Sequence, residues 1–401
     1  MSELYELPDG WEWKKLEDVF IIERGGSPRP IKEYITDDED SINWIKIGDT
    51  KKGEKYITQT AQKIKPEGLK KSRLVVEGDF IMSNSMSFGR PYIVKTKGAI
   101  HDGWLLMRTK IETADKDFFY YLLSSNYMYQ QFSSKASGTT VKNLNIALVK
   151  TTDIPLPPLQ EQKRIVAKLD SLFEKIDSAI VLHQQNIDEA DKFMGSVLNE
   201  IFGELEEKYK KYYLKDIVKI IGGGTPSKQD STYWDGGDIK WATVGDMNVE
   251  TVIDTELSIT EKGLKNSSSN VIPKDAIIIA TRVGLGKVCY LFEDTAINQD
   301  LKGLVPSNDR LEVRFLYNFF KHIKDYMLKN GTGATVKGVK VDFVKMIEIP
   351  LPPLQIQQKT VTYLDQISQK TEQLKKVQQE KFQNLKELKA SILDRAFRGK
   401  L

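Results

Sequence analysis

At 401 residues, 40% hydrophobic and 29% charged, the chain is too long for one ordinary core and has the make-up of a soluble globular protein of two domains. A formal net charge of +3 does not by itself indicate nucleic acid, which would need local basic patches. The single cysteine, Cys289, excludes an internal disulfide framework, and with only His101, His183 and His322 to join it a structural zinc site is hard to build.

The opening Met1-Ser2-Glu3-Leu4-Tyr5-Glu6 is acidic and lacks the basic-then-apolar pattern of a signal peptide. No apolar run is long enough to span a bilayer. The expectation is a reducing, cytoplasmic compartment with no membrane partner.

The first globule, residues 1–158, reads as mixed α/β. Strand-like runs are Asn43–Ile47, Phe80–Ser83 and Tyr92–Val94, and Lys116–Ser124 is helix-like. It ends at Ile154-Pro155-Leu156-Pro157-Pro158-Leu159-Gln160. Prolines cannot continue a helix backward, so this junction marks a helix start. The rod that follows, 159–203, carries Ile165, Leu169, Leu172, Ile176, Ile180, His183, Ile187, Ala190, Met194, Val197 and Ile201. The steps alternate between three and four, with one extra four, which is a coiled-coil seam with a stutter.

The chain then repeats itself. A second globule, 204–353, has strand-like runs Asp275–Ala280 and Lys287–Phe292 and a helix-like run Glu312–Leu328. Gly25-Gly26-Ser27-Pro28 returns as Gly223-Gly224-Thr225-Pro226, and Asn43-Trp44 as Lys240-Trp241. Gly138-Thr139-Thr140-Val141-Lys142 returns as Gly333-Ala334-Thr335-Val336-Lys337. The proline junction returns as Ile349-Pro350-Leu351-Pro352-Pro353-Leu354-Gln355, 195 residues on. A second rod, 354–401, places Leu364, Ile367, Leu374, Phe382, Leu385, Leu388 and Ile392 on one face, interrupted by Thr371 and Gln378. Phe202 and Phe397 are again 195 residues apart, so the segment from junction to phenylalanine keeps a fixed length. Loops drift in length; a rigid rod does not.

If the rods bury their seams on each other they run antiparallel, which sets the globules at opposite ends in a pseudo-two-fold repeat. From Leu159 to Phe202 the first rod is about 66 Å at 1.5 Å per residue. Two heads related in this way suit the two-fold symmetry of a duplex.

Catalytic signatures are missing. The Pro157-Pro158 and Pro352-Pro353 pairs lack the Asn/Asp before and the aromatic after that an adenine methyltransferase motif requires. Gly286-Lys287 is followed by Val288, and Thr281 stands where a phosphate loop needs its first glycine. There is no Gly-x-Ser-x-Gly elbow and no His-Glu-x-x-His helix.

The pattern resembles the specificity subunits of Type I restriction–modification systems. The resemblance rests on Gly223-Gly224-Thr225-Pro226-Ser227, Tyr233-Trp234-Asp235-Gly236-Gly237-Asp238, Thr281-Arg282-Val283-Gly284, Ala296-Ile297-Asn298-Gln299 and the two proline junctions, in order and twice. The first copy departs from it at Ser83–Arg90 and at His101-Asp102-Gly103-Trp104, and Ile356 replaces the acid seen at Glu161. The resemblance implies a chain without chemistry of its own that reads a bipartite asymmetric site in double-stranded DNA. It implies two modification (methyltransferase) subunits and restriction (translocase/nuclease) subunits as partners. S-adenosylmethionine, ATP and Mg would belong to those partners, with no cofactor in this chain.

On that basis the candidate DNA contacts in the first domain are Ser27, Arg29, Lys46, Asn84, Arg90, His101, Thr139, Thr140 and Lys142. In the second they are Thr225, Ser227, Lys228, Thr281, Arg282, Lys287, Asn298, Thr335 and Lys337. Arginine can hold a guanine edge with two hydrogen bonds, though Arg282, Lys287, Arg90 and Lys95 would serve equally as structural ion pairs. The Gly222-Gly223-Gly224 run could admit a phosphate, but a tight turn needing positive φ is the simpler reading. Trp44 and Trp241 read as core anchors, His183 as seam packing and Cys289 as buried and inert. The rival readings are a coiled-coil protein scaffold and a nuclease with an unrecognised site.

Overall fold

The computed structural model describes residues 4–51, 53–84, 89–135, 144–333 and 337–401. It divides the chain into two compact units, Met1–His183 with Glu380–Leu401, and Gln184–Gln379.

In the first unit the chain enters and leaves its globular domain side by side, because Glu12–Lys15 pairs antiparallel with Asp153–Leu156. Between them lie two five-stranded sheets. One runs in the order Phe20–Arg24, Trp104–Thr109, Phe80–Ser83, Pro91–Val94, Tyr56–Ile57. The other runs Ile35–Thr36, Gln62–Ile64, Ile42–Ile45, Gly98–Ile100, Arg73–Val75. Strand side chains alternate faces, and both faces of the first sheet are covered. Phe80, Met82, Leu105 and Met107 point into a core with the helix Lys116–Leu123 and the long helix, while Ile81, Trp104 and Leu106 point into a core with Ile45 and Val75. That explains why Phe80–Ser83 and Pro91–Val94 are buried throughout.

The second unit repeats this plan. Lys211–Tyr213 pairs with Glu348–Pro350. A five-stranded sheet runs Val218–Gly222, Leu301–Pro306, Ile277–Ala280, Val288–Leu291, Thr251–Val252. A four-stranded sheet runs Leu257–Ile259, Ile239–Ala242, Thr295–Ile297, Asn270–Ile272. Ile277 and Ile279 face the helical core and Ile278 the other, as Phe80 and Ile81 do in the first unit. The expected helix Glu312–Leu328 is two, Val313–His322 and Lys324–Lys329, joined through Ile323 (φ −83°, ψ 11°).

Two long helices complete the chain, Leu159–Lys208 and Leu354–Phe397. The first runs past residue 203; Gly203 does not end it, since the good helix formers beyond it bring Leu205 into the core. Within the first unit the helices pair antiparallel. Arg164 donates to the Leu401 carbonyl at 3.1 Å, and Lys389 lies 2.6 Å from Asp177. Within the second, Lys375 lies 2.8 Å from Asp191 and Asn186 donates to Gln378 at 3.4 Å.

All eleven seam residues expected on the first helix are buried or half-buried. The second helix corrects the expectation. Leu374 and Leu388 are 49% and 47% exposed, whereas Thr371 is buried and Gln378 half-buried. The polar residues that interrupted the pattern lie on the seam, and the two leucines flank it. Lys375 and Lys389 sit on the half-buried side, each neutralised by an aspartate of the facing helix.

Each globular domain is packed by the start of one long helix and the end of the other. In the first unit Ile165, Leu169 and Phe173 join Phe397, whose ring meets Phe118 edge-on at 5.5 Å. In the second, Val361 and Leu364 join Phe202, whose ring lies 5.3 Å from Phe315 and 5.6 Å from Phe319.

Candidate nucleic-acid interface

The glycine loops approach other backbone so closely that no side chain fits. A Cβ on Gly25 would lie 2.1 Å from the His101 carbonyl oxygen, and one on Gly223 2.2 Å from that of Asn298. Neither Gly25 and Gly26 nor Gly222, Gly223 and Gly224 has positive φ. The expected positive-φ turn is therefore corrected: glycine is required here for close approach, not for its dihedral freedom. Gly26 donates to the Ile100 carbonyl at 3.1 Å and Gly224 to that of Ile297 at 3.0 Å, which locks each loop onto the turn that follows.

In the first domain this lock brings the loop carrying Ser27 and Arg29 against the turn His101-Asp102-Gly103. Ser27 donates to Asp102 Oδ1 at 2.8 Å, and Arg29 Nη2 lies 3.7 Å from Asp102 Oδ2 with its side chain 81% exposed. Arg24 and Asn84 both donate to the Asp102 carbonyl, at 3.2 and 2.9 Å. The Ser27 hydrogen bond holds the Asp102 carboxyl below its ordinary range, so it is ionised at neutral pH. Ser27, Arg29, Lys46, His101 and Asp102 line one cleft of about 780 Å³ with the buried Trp44 at its wall. Lys46 is bonded to Gln62 at 2.8 Å. His101 is mostly buried, its ring faced by the Ile47 N–H at 3.1 Å and the Gly103 N–H at 2.7 Å, and burial lowers its pKa.

The second domain builds the same arrangement from other side chains. Thr225 donates to Gln299 Oε1, and the turn is Asn298-Gln299-Asp300. Asn298 accepts from the Asp300 N–H at 3.1 Å, the bond that His101 accepts from Gly103 in the first domain. Arg282 lies 3.5 Å from Asp300, and the Thr281 hydroxyl donates to the Asp300 carbonyl at 3.1 Å. Beneath the turn, the buried Lys302 amine donates to the Gln299 and Leu301 carbonyls at 2.9 and 2.8 Å, and desolvation lowers its pKa.

Three expected contacts have their side chains inside the fold. Asn84, Thr281 and Asn298 are buried, and their side chains hold turns. Lys287 bonds Asn248 at 2.7 Å and Lys95 pairs with Glu77 at 3.1 Å. Arg90 is half-buried beside the strand Pro91–Val94 and does not line the cleft. Ser227, Lys228 and Lys337 are exposed. Thr139, Thr140, Lys142 and Thr335 lie outside the described residues. The candidate set omits three residues that the structure places in these turns, Asp102, Gln299 and Lys302. The first two could have been found where the repeats diverge, His-Asp-Gly against Asn-Gln-Asp, and the third as a lysine inside the apolar strand Leu301–Pro306.

Trp44 and Trp241 are core residues, and Trp241 donates to the Gly224 carbonyl and to Ser269, each at 3.1 Å. Cys289 is buried with its thiol pushed up to about 12. Among the described residues no group of three or more His, Cys, Asp or Glu could hold a metal ion, and no helix is long and apolar enough to cross a membrane.

A family model described as the Type I restriction modification DNA specificity domain matches residues 8–187 and again 206–381. The Type I restriction enzyme MjaIX specificity subunit of Methanocaldococcus jannaschii is 33% identical over 194 residues, 45% of this chain and 44% of that one, so the match spans under half of that relative. The putative MjaX specificity subunit of the same organism is 26% identical across 100% of this chain and 96% of its own. Among solved structures, a chain from a study of complex assembly and conformational transition in the type I R-M system matches with a TM-score of 0.80 and 25% identity, over 99% of this chain and 100% of its own. The HsdS subunit from Thermoanaerobacter tengcongensis matches with a TM-score of 0.59 and 26% identity, over 99% of each chain.

Proposed function

Because the chain belongs to the Type I restriction modification DNA specificity family, we propose that it chooses a split DNA target for its complex, one half-site per globular domain, and performs no chemistry itself. The carrying observation is a duplicated fold whose equivalent turns present different side chains, on a chain whose two copies are joined by one uninterrupted helix. Equivalent folds with different contact chemistry suit two unlike half-sites.

The partners follow from this reading. Modification subunits supply the methyltransferase with S-adenosylmethionine, and restriction subunits supply the ATP- and Mg-dependent translocase and nuclease. The long helices hold the spacing and offer docking surface, and Val181, Leu182 and Phe193 stand exposed on the first of them. The complex works on DNA in the cytoplasm.

Equilibrium binding of the complex, assembled with its modification subunits, to duplex pools at rising salt tests the reading. Phosphate contacts give non-specific affinity that falls steeply with salt, and base contacts give a preference for one sequence. Binding with no sequence preference at any salt would refute it. A protein scaffold would assemble without affecting DNA binding, and a nuclease would cut as the purified chain alone.

A further inference from the structure

Asp102 and Gln299 hold the same place in the two domains. Each is the middle residue of a turn that leads into the second strand of a five-stranded sheet of the same order, Trp104–Thr109 or Leu301–Pro306. Each turn is closed by its first side chain accepting from the N–H two residues on. Each middle side chain receives a hydroxyl from the glycine loop, Ser27 in one domain and Thr225 in the other. One frame therefore presents two chemistries, a carboxylate beside an exposed guanidinium and a carboxamide.

These groups complement different base pairs. An ionised carboxylate only accepts hydrogen bonds, which suits the cytosine N4 amino group, and a guanidinium donates twice, which suits guanine O6 and N7. Asp102 and Arg29 thus match the two bases of one G·C pair. A carboxamide both donates and accepts, which suits adenine N7 and N6. The Thr225 hydroxyl fixes the oxygen end of the Gln299 amide, and Gln299 is exposed.

We propose that positions 102 and 299 are the equivalent specificity-determining positions of the two domains, with Arg29 and Asp102 reading a G·C pair in one half-site and Gln299 an A·T pair in the other. The proposal rests on the DNA-reading function above.

The test expresses the full complex, with wild-type chain or variant, in a host free of other adenine methylation, and reads the methylated motif by single-molecule sequencing. Gln299→Glu replaces an amide by an acceptor and is expected to change one A·T position of one half-site to G·C or to relax it, with the other half-site unchanged. Arg29→Ala is expected to relax one G·C position in the opposite half-site and to cut methylation of the original motif roughly tenfold or more. The half-site not targeted reports that the variant chain folds and assembles. An unchanged motif in both variants overturns the proposal. So does uniform weakening without a change of base, which would mark phosphate contacts, and so does loss of all methylation with assembly intact, which would mark structural residues. If the wild-type complex methylates no split motif, the DNA-reading function itself fails, a distinct result.

Discussion

Gln162 and Gln357, 195 residues apart, make the same three hydrogen bonds. Each is buried near the start of a long helix. The Gln162 amide donates to the Thr113 and Pro157 carbonyls at 3.1 and 2.9 Å and accepts from the Asp115 N–H at 2.9 Å. The Gln357 amide donates to the Arg310 and Pro352 carbonyls, both at 2.8 Å, and accepts from the Glu312 N–H at 2.9 Å. Asp115 and Glu312 in turn cap the helices Lys116–Leu123 and Val313–His322. One side chain thus ties the proline junction, the start of the long helix and the cap of a domain helix.

Replacing either glutamine by leucine removes the partner of three backbone groups, of which the proline carbonyl is the one in a buried hydrogen bond. At about 1–3 kcal/mol for an orphaned buried group, the loss is roughly 1–3 kcal/mol. Gln162→Leu should destabilise the first unit and Gln357→Leu the second, seen as faster hydrogen exchange confined to that unit. Equal exchange in both units would show that the clamp is not local.

The phenylalanines at the helix ends should matter far more than the ion pairs along the helices. Phe397→Ala removes a fully buried ring from the first unit and should cost about 3–5 kcal/mol. Asp177→Asn and Asp191→Asn break pairs whose carboxylates are more than half exposed, and each should cost less than about 1 kcal/mol. Thermal unfolding ranks them, and an aspartate variant as damaging as Phe397→Ala would contradict the ranking.

Acid should weaken the first domain through His101. The pKa of His101 is lowered by burial and raised only in part by Asp102 and Asp49, with Lys46 lowering it further. The folded state therefore favours the neutral ring. Its stabilising contribution is full above the ordinary histidine value of about 6.5 and is lost as pH falls through the lower folded value. His101→Asn should remove this acid sensitivity, because Asn298 already closes the equivalent turn with an amide. Binding to DNA degenerate in one half-site, measured between pH 7 and 5, checks it; an equal acid response in wild type and variant would exclude His101 as its source.

Matched insertions of four residues in both long helices should widen the gap between half-sites. One helical turn adds about 6 Å, or roughly two base pairs. The methylated motif of the lengthened complex reports the gap, and an active complex with its gap unchanged would remove the spacing role of the helices.

Much of the architecture was legible in the sequence because repetition and periodicity survive substitution. The seam of the first long helix is apolar at every position but His183, so it reads directly. The second reads differently at Leu374 and Leu388 because Thr371 is buried on the seam while Lys375 and Gln378 hold it by an ion pair and a hydrogen bond, which no hydrophobic pattern marks. The contact residues were harder. Asn84, Thr281 and Asn298 are polar, as exposed contacts are, but they are buried to satisfy turn backbone. Nothing near Asp102 in sequence marks it, because its neighbours Arg29 and Ser27 lie about 75 residues away along the chain.

The most direct test of DNA-target choice is single-molecule sequencing of host DNA with the gene present and with it deleted, in cells carrying the partner subunits. Adenine methylation is expected at one split, asymmetric motif that vanishes on deletion and returns on complementation. A methylome unchanged by deletion, with the partners expressed and the complex assembled, would contradict it.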